Sequence, residues 1–425
     1  MAEAQGSRPS LLRGLGRNVV VLGLVSLLTD ISSEMLYPVV PLFVTLVLGA
    51  PMTAVGLIEG VAECTANLLK VGSGWWSDRI GRRQPFMLAG YGLSALSKPL
   101  LALAVTWPGV LASRLLDRLG KGVRTSARDA MIAASCDPEH RGKAFGLHRA
   151  MDTVGAVFGP IAALLLLNHF HRHGLPDSAS YRRVFLLALI PAVAGIAALL
   201  FVKEARSREN SALSAHPQPG PPISRDLWKF VAVFGVFALG NSSDVFLLLR
   251  AKAAFLAARP GHPDLARNLM LVVYIFYNLV YALAASPAGW LSDRLGRRRV
   301  IVAGFGVFAL VYLGFAFSPG GAAIWALFGL YGLYGATTEG IAKAQVADLA
   351  PPESRATAMG LLYTVTGLMA LVASVMAGVL WAHVGSYAPF VYGAACAGAA
   401  GVLYLAMGRL QGEPDQPEGQ EMGRQ

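Results

Sequence analysis

The sequence predicts an all-α polytopic membrane protein, with twelve transmembrane helices in two pseudo-symmetric six-helix bundles. Three observations carry that expectation. The chain is 55% hydrophobic and only 14% charged, with mean hydropathy +0.52, whereas a soluble domain carries roughly 25% charged residues. Apolar stretches long enough to span a bilayer recur along all 425 residues, and twelve of about 20 residues each would use ~240. Two strings also repeat at almost one offset. This composition excludes a soluble enzyme, a secreted disulfide scaffold and a disordered chain.

An N-terminal tail, 1–17, holds Arg8, Arg13 and Arg17 ahead of the first apolar run. No small-residue cleavage site follows, and Asp30 and Glu34 interrupt the run, so it reads as a retained helix rather than a signal peptide. The first bundle, 18–203, has spans near 18–48, 53–76, 85–106, 108–134, 143–168 and 184–203. A linker, 204–227, is rich in Ser, Pro, Arg and Glu and reads as solvated. The second bundle, 228–408, has spans near 228–256, 268–291, 300–318, 322–348, 356–382 and 387–408. The polar tail 409–425 closes the chain.

The net charge is +11, but its placement speaks for a membrane rather than nucleic acid. Basic residues crowd alternate loops and the tails: Arg79, Arg82 and Arg83; Arg141 and Lys143; the linker; and Arg294 to Arg299. That asymmetry places both termini in the cytoplasm. Cys64, Cys136 and Cys396 lie far apart and form no C-x-x-C, so neither a disulfide framework nor a thiolate metal site is indicated. Three histidines within Asn168 to His173 lack a carboxylate or thiol at ligand spacing. No metal and no cofactor is expected. There is no Walker loop and no hydrolase arrangement, so the chain is not expected to be an enzyme.

The string G-W-W-S-D-R-I-G-R-R (Gly74 to Arg83) recurs as G-W-L-S-D-R-L-G-R-R (Gly289 to Arg298), 215 residues later. P-E-H-R-G-K-A-F-G (Pro138 to Gly146) is echoed by P-E-S-R-A-T-A-M-G (Pro352 to Gly360), 214 residues later. A duplicated six-helix unit puts the ligand path between the two copies. On these residues the chain resembles the major facilitator superfamily, whose signature loop G-x-x-x-D-R-x-G-R-R lies between the second and third spans and again between the eighth and ninth. The stretch from Asp117 to Ala130, with F-G-L-H-R-A-M-D-T-V-G-A-V-F-G-P after it, is similar to a bacterial subgroup of efflux transporters.

That resemblance implies secondary active transport by alternating access, without ATP. It implies a gate in the signature loops, built from Asp78, Arg79, Arg82, Asp293, Arg294 and Arg297, whose ion pairs hold the cytoplasmic side closed. A topogenic basic cluster is the plainer account of the same arginines. Gly155-x-x-x-Gly159-Pro160 resembles the antiporter motif of the superfamily, although Ala163 and Leu164 replace its final glycine pair. Read from the residues alone, it is a small-residue seam with a proline bend.

Charged residues inside spans are costly, roughly 2.5–3.5 kcal/mol each even on the low insertion scale, so they should face the interior. Most lie in the first bundle, where eight bases oppose seven acids. Arg114, Arg118, Lys121, Arg124 and Arg128 step by three or four along one face of the fourth span. Two readings stand open: a paired structural network, or titrating carboxylates that carry protons. Asp30, Glu34, Glu63 and Asp152 are the proton-coupling candidates, and His148, one turn from Asp152, extends the last of them. Arg118, Lys121, Arg124 and Arg128 are candidates for binding an anionic substrate. Tyr274, Tyr277 and Tyr281 share a face of the eighth span, and either line the path or simply pack.

The expected function is proton-coupled export of a small organic molecule across the bacterial inner membrane. The alternative is uptake or exchange of an anionic metabolite bound by the fourth-span stripe. Expected partners are the substrate, protons and lipid, with no nucleic acid, and the chain is expected to be a monomer.

Overall fold

The computed structural model describes residues 16–80, 82–136, 140–204, 223–317, 320–351 and 354–409. The tails and most of the linker therefore lie outside the described residues. So do the side chains of Gly74 to Gly81, and with them the gate candidates Asp78 and Arg79.

Twelve helical segments follow one another: α1 (Arg17–Val47), α2 (Met52–Ile80), α3 (Gln84–Leu103), α4 (Trp107–Ala134), α5 (Arg141–Arg172), α6 (Asp177–Leu199), α7 (Arg225–Ala258), α8 (Pro263–Leu295), α9 (Arg297–Phe317), α10 (Ala322–Leu349), α11 (Arg355–His383) and α12 (Ala388–Arg409). Local chemistry sets their ends. Pro85, Pro108 and Pro263 sit in the first turn of α3, α4 and α8, where a missing N–H costs nothing. Ser224 caps α7 by accepting from Leu227 N at 3.2 Å. The glycine of the second signature copy, Gly296, ends α8 at φ 87° and turns the chain directly into α9.

Two spans that read as single apolar runs are broken. In α1 the helix stops at Leu36, is interrupted around Pro38, and finishes as a π-helical turn over Phe43–Val47. In α7 it runs Arg225–Gly240, leaves helical geometry over Asn241–Asp244, and resumes at Val245. The sixth span starts at Asp177, seven residues before the position near 184 expected from hydropathy.

Among the described residues, nine segments are apolar enough and long enough to cross a bilayer. The three that fall short are α2, α4 and α10. The first two carry most of the interior charges of the first half, and α10 is weighed down by Tyr, Gly, Thr, Glu339 and Lys343. The outer surface is greasy, with Leu103, Leu283, Phe317 and Val402 exposed, as lipid contact requires.

Helix contacts follow a rule. Within the first six segments the pairs α1–α5, α1–α6, α2–α4, α3–α4 and α3–α6 touch. Each recurs six segments later, as α7–α11, α7–α12, α8–α10, α9–α10 and α9–α12. The N-terminal and C-terminal halves meet mainly through α2–α11 and α5–α8, a pair that the same six-segment shift exchanges.

Candidate functional site: the charged interior between the halves

The break in α7 borders a cavity lined by both halves. Asn241 Nδ2 donates to the Tyr334 hydroxyl at 3.2 Å, and Ser243 N donates to Ser374 Oγ at 3.2 Å. Asp244 accepts from the Tyr331 hydroxyl at 2.7 Å. Non-helical backbone at membrane depth is tolerated where it lines a cavity, and this one does. The central cavity, about 380 Å³, is bounded by Tyr37 of α1, Glu59, Glu63, Asn67 and Lys70 of α2, Asn241–Asp244 of α7, Tyr334, Glu339 and Lys343 of α10, and Tyr363 of α11. A second space of about 680 Å³ shares Lys70, Glu339, Lys343 and Tyr363 with it and extends to Arg128, Asp152, Asp293 and Arg297. The interior therefore leads to the end that carries the signature loops.

At the opposite end the halves are fastened. The Arg267 guanidinium of α8 is buried, pairs with Asp264 at 2.8 Å and donates to Asn168 Oδ1 of α5 at 3.3 Å. A side-chain carbon on Gly378 of α11 would sit 2.6 Å from the Met52 carbonyl of α2, so only glycine allows these helices to touch there.

The basic face of α4 is mostly engaged. Arg114 donates to both oxygens of Glu59 at 2.9 Å. Arg124 donates to Ser94 Oγ and lies over the Tyr91 ring, 4.7 Å from its centroid. Arg128 pairs with Asp129 at 2.9 Å beside the signature-end space. Lys98 of α3, fully buried, pairs with Asp117 at 3.0 Å. Among the described residues Arg118 and Lys121 have no hydrogen-bond or ion-pair partner. They face a small pocket of about 30 Å³, room for a water or two.

That pocket also holds Asp30 and Glu34. The glycine seam explains how they come there. A side-chain carbon on Gly155 would lie 2.7 Å from Asp30 Cβ, and one on Gly159 would lie 2.7 Å from Glu34 Cβ. The bare backbone of α5, just before Pro160, thus presses α1 toward α4 at the two carboxylates. Among the described residues Asp30 makes no ion pair, and Glu34 accepts from the Tyr274 hydroxyl of α8 at 2.8 Å, a bond that crosses between the halves. The other two coupling candidates stand elsewhere. Glu63 faces the central cavity, and Asp152 lies in the signature-end space, 3.4 Å from His148 Nδ1.

The tyrosines of α8 do more than pack. Tyr281 accepts from Arg149 of α5 at 2.8 Å and donates to Glu339 of α10 at 3.0 Å. Tyr277 lies between Tyr274 and Tyr281 with ring centroids 6.0 and 6.5 Å away.

In the second signature loop, Arg297 pairs with Asp293 at 3.2 Å and with Asp348 of α10, and Arg294 lies over the Trp290 ring. These contacts stay within the C-terminal half. Arg82 is exposed, while its neighbour Arg83 donates from its backbone N–H to Glu204 at 2.8 Å. Among the described residues no cluster of three or more His, Cys, Asp or Glu is placed to hold a metal.

Hydropathy reasoning missed Asn241 to Ser243, Tyr331 and Arg267. For the first group a signal was available: N-S-S-D is a run of four polar residues inside a mostly apolar 34-residue segment.

The comparisons agree with this architecture. The family model described as Major Facilitator Superfamily matches residues 22–258 and 262–425. An uncharacterized MFS-type transporter of Methanocaldococcus jannaschii is 37% identical over 92% of this chain and 95% of its own. A probable 4-methylmuconolactone transporter of Cupriavidus pinatubonensis is 26% identical over 80% of this chain and 78% of its own. The solved structure of the nucleoside transporter NupG superposes with TM-score 0.71 at 13% identity, covering 94% of this chain and all of that one. The chain belongs to the Major Facilitator Superfamily: a multi-pass membrane transporter of small molecules, not an enzyme.

Proposed function

We propose that this protein is a secondary active exporter that exchanges a small organic molecule for protons as two six-helix bundles, 18–203 and 228–408, rock about the central cavity. The observation that carries the reading is the placement of Asp30 and Glu34. Two half-buried carboxylates stand where the Gly155–Gly159 seam packs α5 against α1, facing the basic stripe of α4, and among the described residues neither has a base within 4 Å. Carboxylates poised between burial and nearby Arg118 and Lys121 can take up and release protons as their surroundings alternate. Glu63 and Asp152, in the two connected spaces, extend the proton route, and the Arg149–Tyr281–Glu339 chain bridges the halves beside it.

The signature loops act as the gate, Asp78 and Arg79 in one copy and Asp293, Arg294 and Arg297 in the other, with Arg82 on the loop. In this state the space between the halves reaches Asp293 and Arg297 of the second copy, and the Arg297–Asp293 and Arg297–Asp348 pairs hold within one half. The positive-inside bias puts that end, and both termini, in the cytoplasm of a bacterial inner membrane. The chain works as a monomer. Likeness to a probable 4-methylmuconolactone transporter supports a small organic substrate.

A carrier whose anionic substrate rests on the α4 stripe finds less support. Arg124 and Arg128 are engaged by Ser94 and Asp129, while Arg118 and Lys121 face a pocket too small for a metabolite. The test is reconstitution in liposomes with a pH-sensitive dye inside. Addition of substrate should drive proton movement, and neutralising Asp30 or Glu34 should abolish it. Proton-linked flux that survives neutralisation of Asp30, Glu34, Glu63 and Asp152 one at a time would defeat the assignment.

A further inference from the structure

We propose that Lys70 and Lys343 form a clamp for the carboxylate group of the transported molecule, one lysine from each half. The proposal rests on the reading of the central cavity as the substrate path.

Lys70 is on α2 and Lys343 on α10, yet both reach the same ring. Their ammonium nitrogens lie 5.1 and 6.0 Å from the centroid of Tyr363. Both residues stand where the central cavity meets the signature-end space. Among the described residues neither has a carboxylate within 4 Å. The hydrogen bond of Lys70 goes to a neutral group, Asn67 Oδ1 at 2.9 Å. Glu339, one turn before Lys343, instead accepts from Tyr281.

Three other carboxylates of the central cavity have partners of their own: Glu59 holds Arg114, Asp244 accepts from Tyr331 and Glu339 accepts from Tyr281. Glu63 faces Lys70 from its own helix, but Arg118 and Lys121 from α4 and Lys343 from α10 face it too. Two ammonium groups converge on one ring where the two spaces meet. Lys70 is half-buried, and charge that is only partly solvated is costly unless paired. An oxyanion between the two lysines supplies that pairing through charge-assisted hydrogen bonds.

The chemistry narrows further. The Tyr363 ring attracts both cations and offers a flat apolar face of its own. Tyr37 and Tyr334 also line the central cavity. An aromatic or hydrophobic monocarboxylate fits both features, whereas a small inorganic oxyanion uses only the lysines. Because the lysines come from different halves, the same carboxylate draws them together as it binds. This site is separate from the α4 stripe.

The test uses the full-length protein in detergent and follows thermal stabilisation by 2-naphthoate, its neutral amide 2-naphthamide, and inorganic phosphate. Naphthoate should stabilise the wild type and the amide should not. Lys343→Gln and Lys70→Gln should each weaken naphthoate binding by at least about tenfold, and Lys343→Arg should recover most of it. The side chain of Lys343 is exposed in the cavity, so its variants carry the comparison if Lys70→Gln does not fold. Equal stabilisation by acid and amide, naphthoate binding that survives in the Gln variants, or no stabilisation by naphthoate overturns the clamp. Stabilisation by phosphate alone overturns the carboxylate assignment. If carboxylates fail to bind while another compound drives proton flux, the clamp falls and the export reading stands. If carboxylates bind through the lysines without proton-linked export, the export reading falls and the clamp stands.

Discussion

The Lys98–Asp117 pair separates structural charge from functional charge. Lys98 is 1% exposed, and its ammonium nitrogen is 3.0 Å from Asp117 Oδ1. Replacing it with Met keeps the stem and deletes the charge, which leaves a buried carboxylate without its partner. Breaking such a pair from one side costs about 3–5 kcal/mol. Arg114, Arg118 and Arg124 also face Asp117 and soften the loss, so the lower end, about 3 kcal/mol, is expected for Lys98→Met. Removing both charges in Lys98→Met/Asp117→Leu should recover much of it, because an apolar pair of similar volume often replaces a buried ion pair at little cost. The coupling energy of the double-mutant cycle should then be at least ~2 kcal/mol. Unfolding of the purified variants in detergent, titrated with a denaturing surfactant, measures the cycle, and liposome transport measures function. A pair that is purely structural leaves transport in the double variant within a few-fold of wild type. A Lys98→Met variant as stable as wild type would refute the reasoning, as would a double variant no better than the single.

Three further outcomes follow from the same geometry. Gly159→Val places a side chain 2.7 Å from Glu34 Cβ and 2.8 Å from the Ile31 carbonyl; backbone cannot rotate aside, so about 1–3 kcal/mol of stability and most transport should be lost, while unchanged transport would show that the seam is dispensable. The Asp293 side chain is 65% exposed in its pair with Arg297, so Asp293→Asn should change stability by less than about 1 kcal/mol yet slow transport at least several-fold; unchanged transport in both it and Asp78→Asn would sink the gate. Tyr274→Phe removes a hydrogen bond to a carboxylate across the halves, about 1.5–3 kcal/mol, and should shift the balance of open and closed states by tenfold or more. Spin-label distances between α1 and α8 would read that shift, and an unaltered distribution would count against the link.

Much of the fold could be read without coordinates, for reasons of scale. A span needs about 20 apolar residues wherever it lies, and the two signature strings mark a six-helix repeat at 215 residues. Hydropathy weakened where function concentrates: α2, α4 and α10 carry polar and charged residues because they face the interior. The site was legible only in part. His148 and Asp152 lie one turn apart on one helix, so spacing found them. Arg114 and Glu59, which belong to different helices, could be listed from the sequence but not paired. The α8 tyrosines showed a shared face, but what their hydroxyls touch depends on α1, α5 and α10.

By itself, then, the sequence determined that this chain lives in a bilayer, that it is a duplicated bundle of helices, and that its interior is charged. Those properties depend on composition, segment length and repetition along one dimension. Tertiary structure decided which charges neutralise each other, where α7 unwinds, and which lysines meet at Tyr363. Each depends on the rotation and crossing of helices tens to hundreds of residues apart, set by glycine contacts such as those of α5 against α1 and α11 against α2. Helical periodicity gives the face a residue occupies on its own helix; only packing gives the residue it will face.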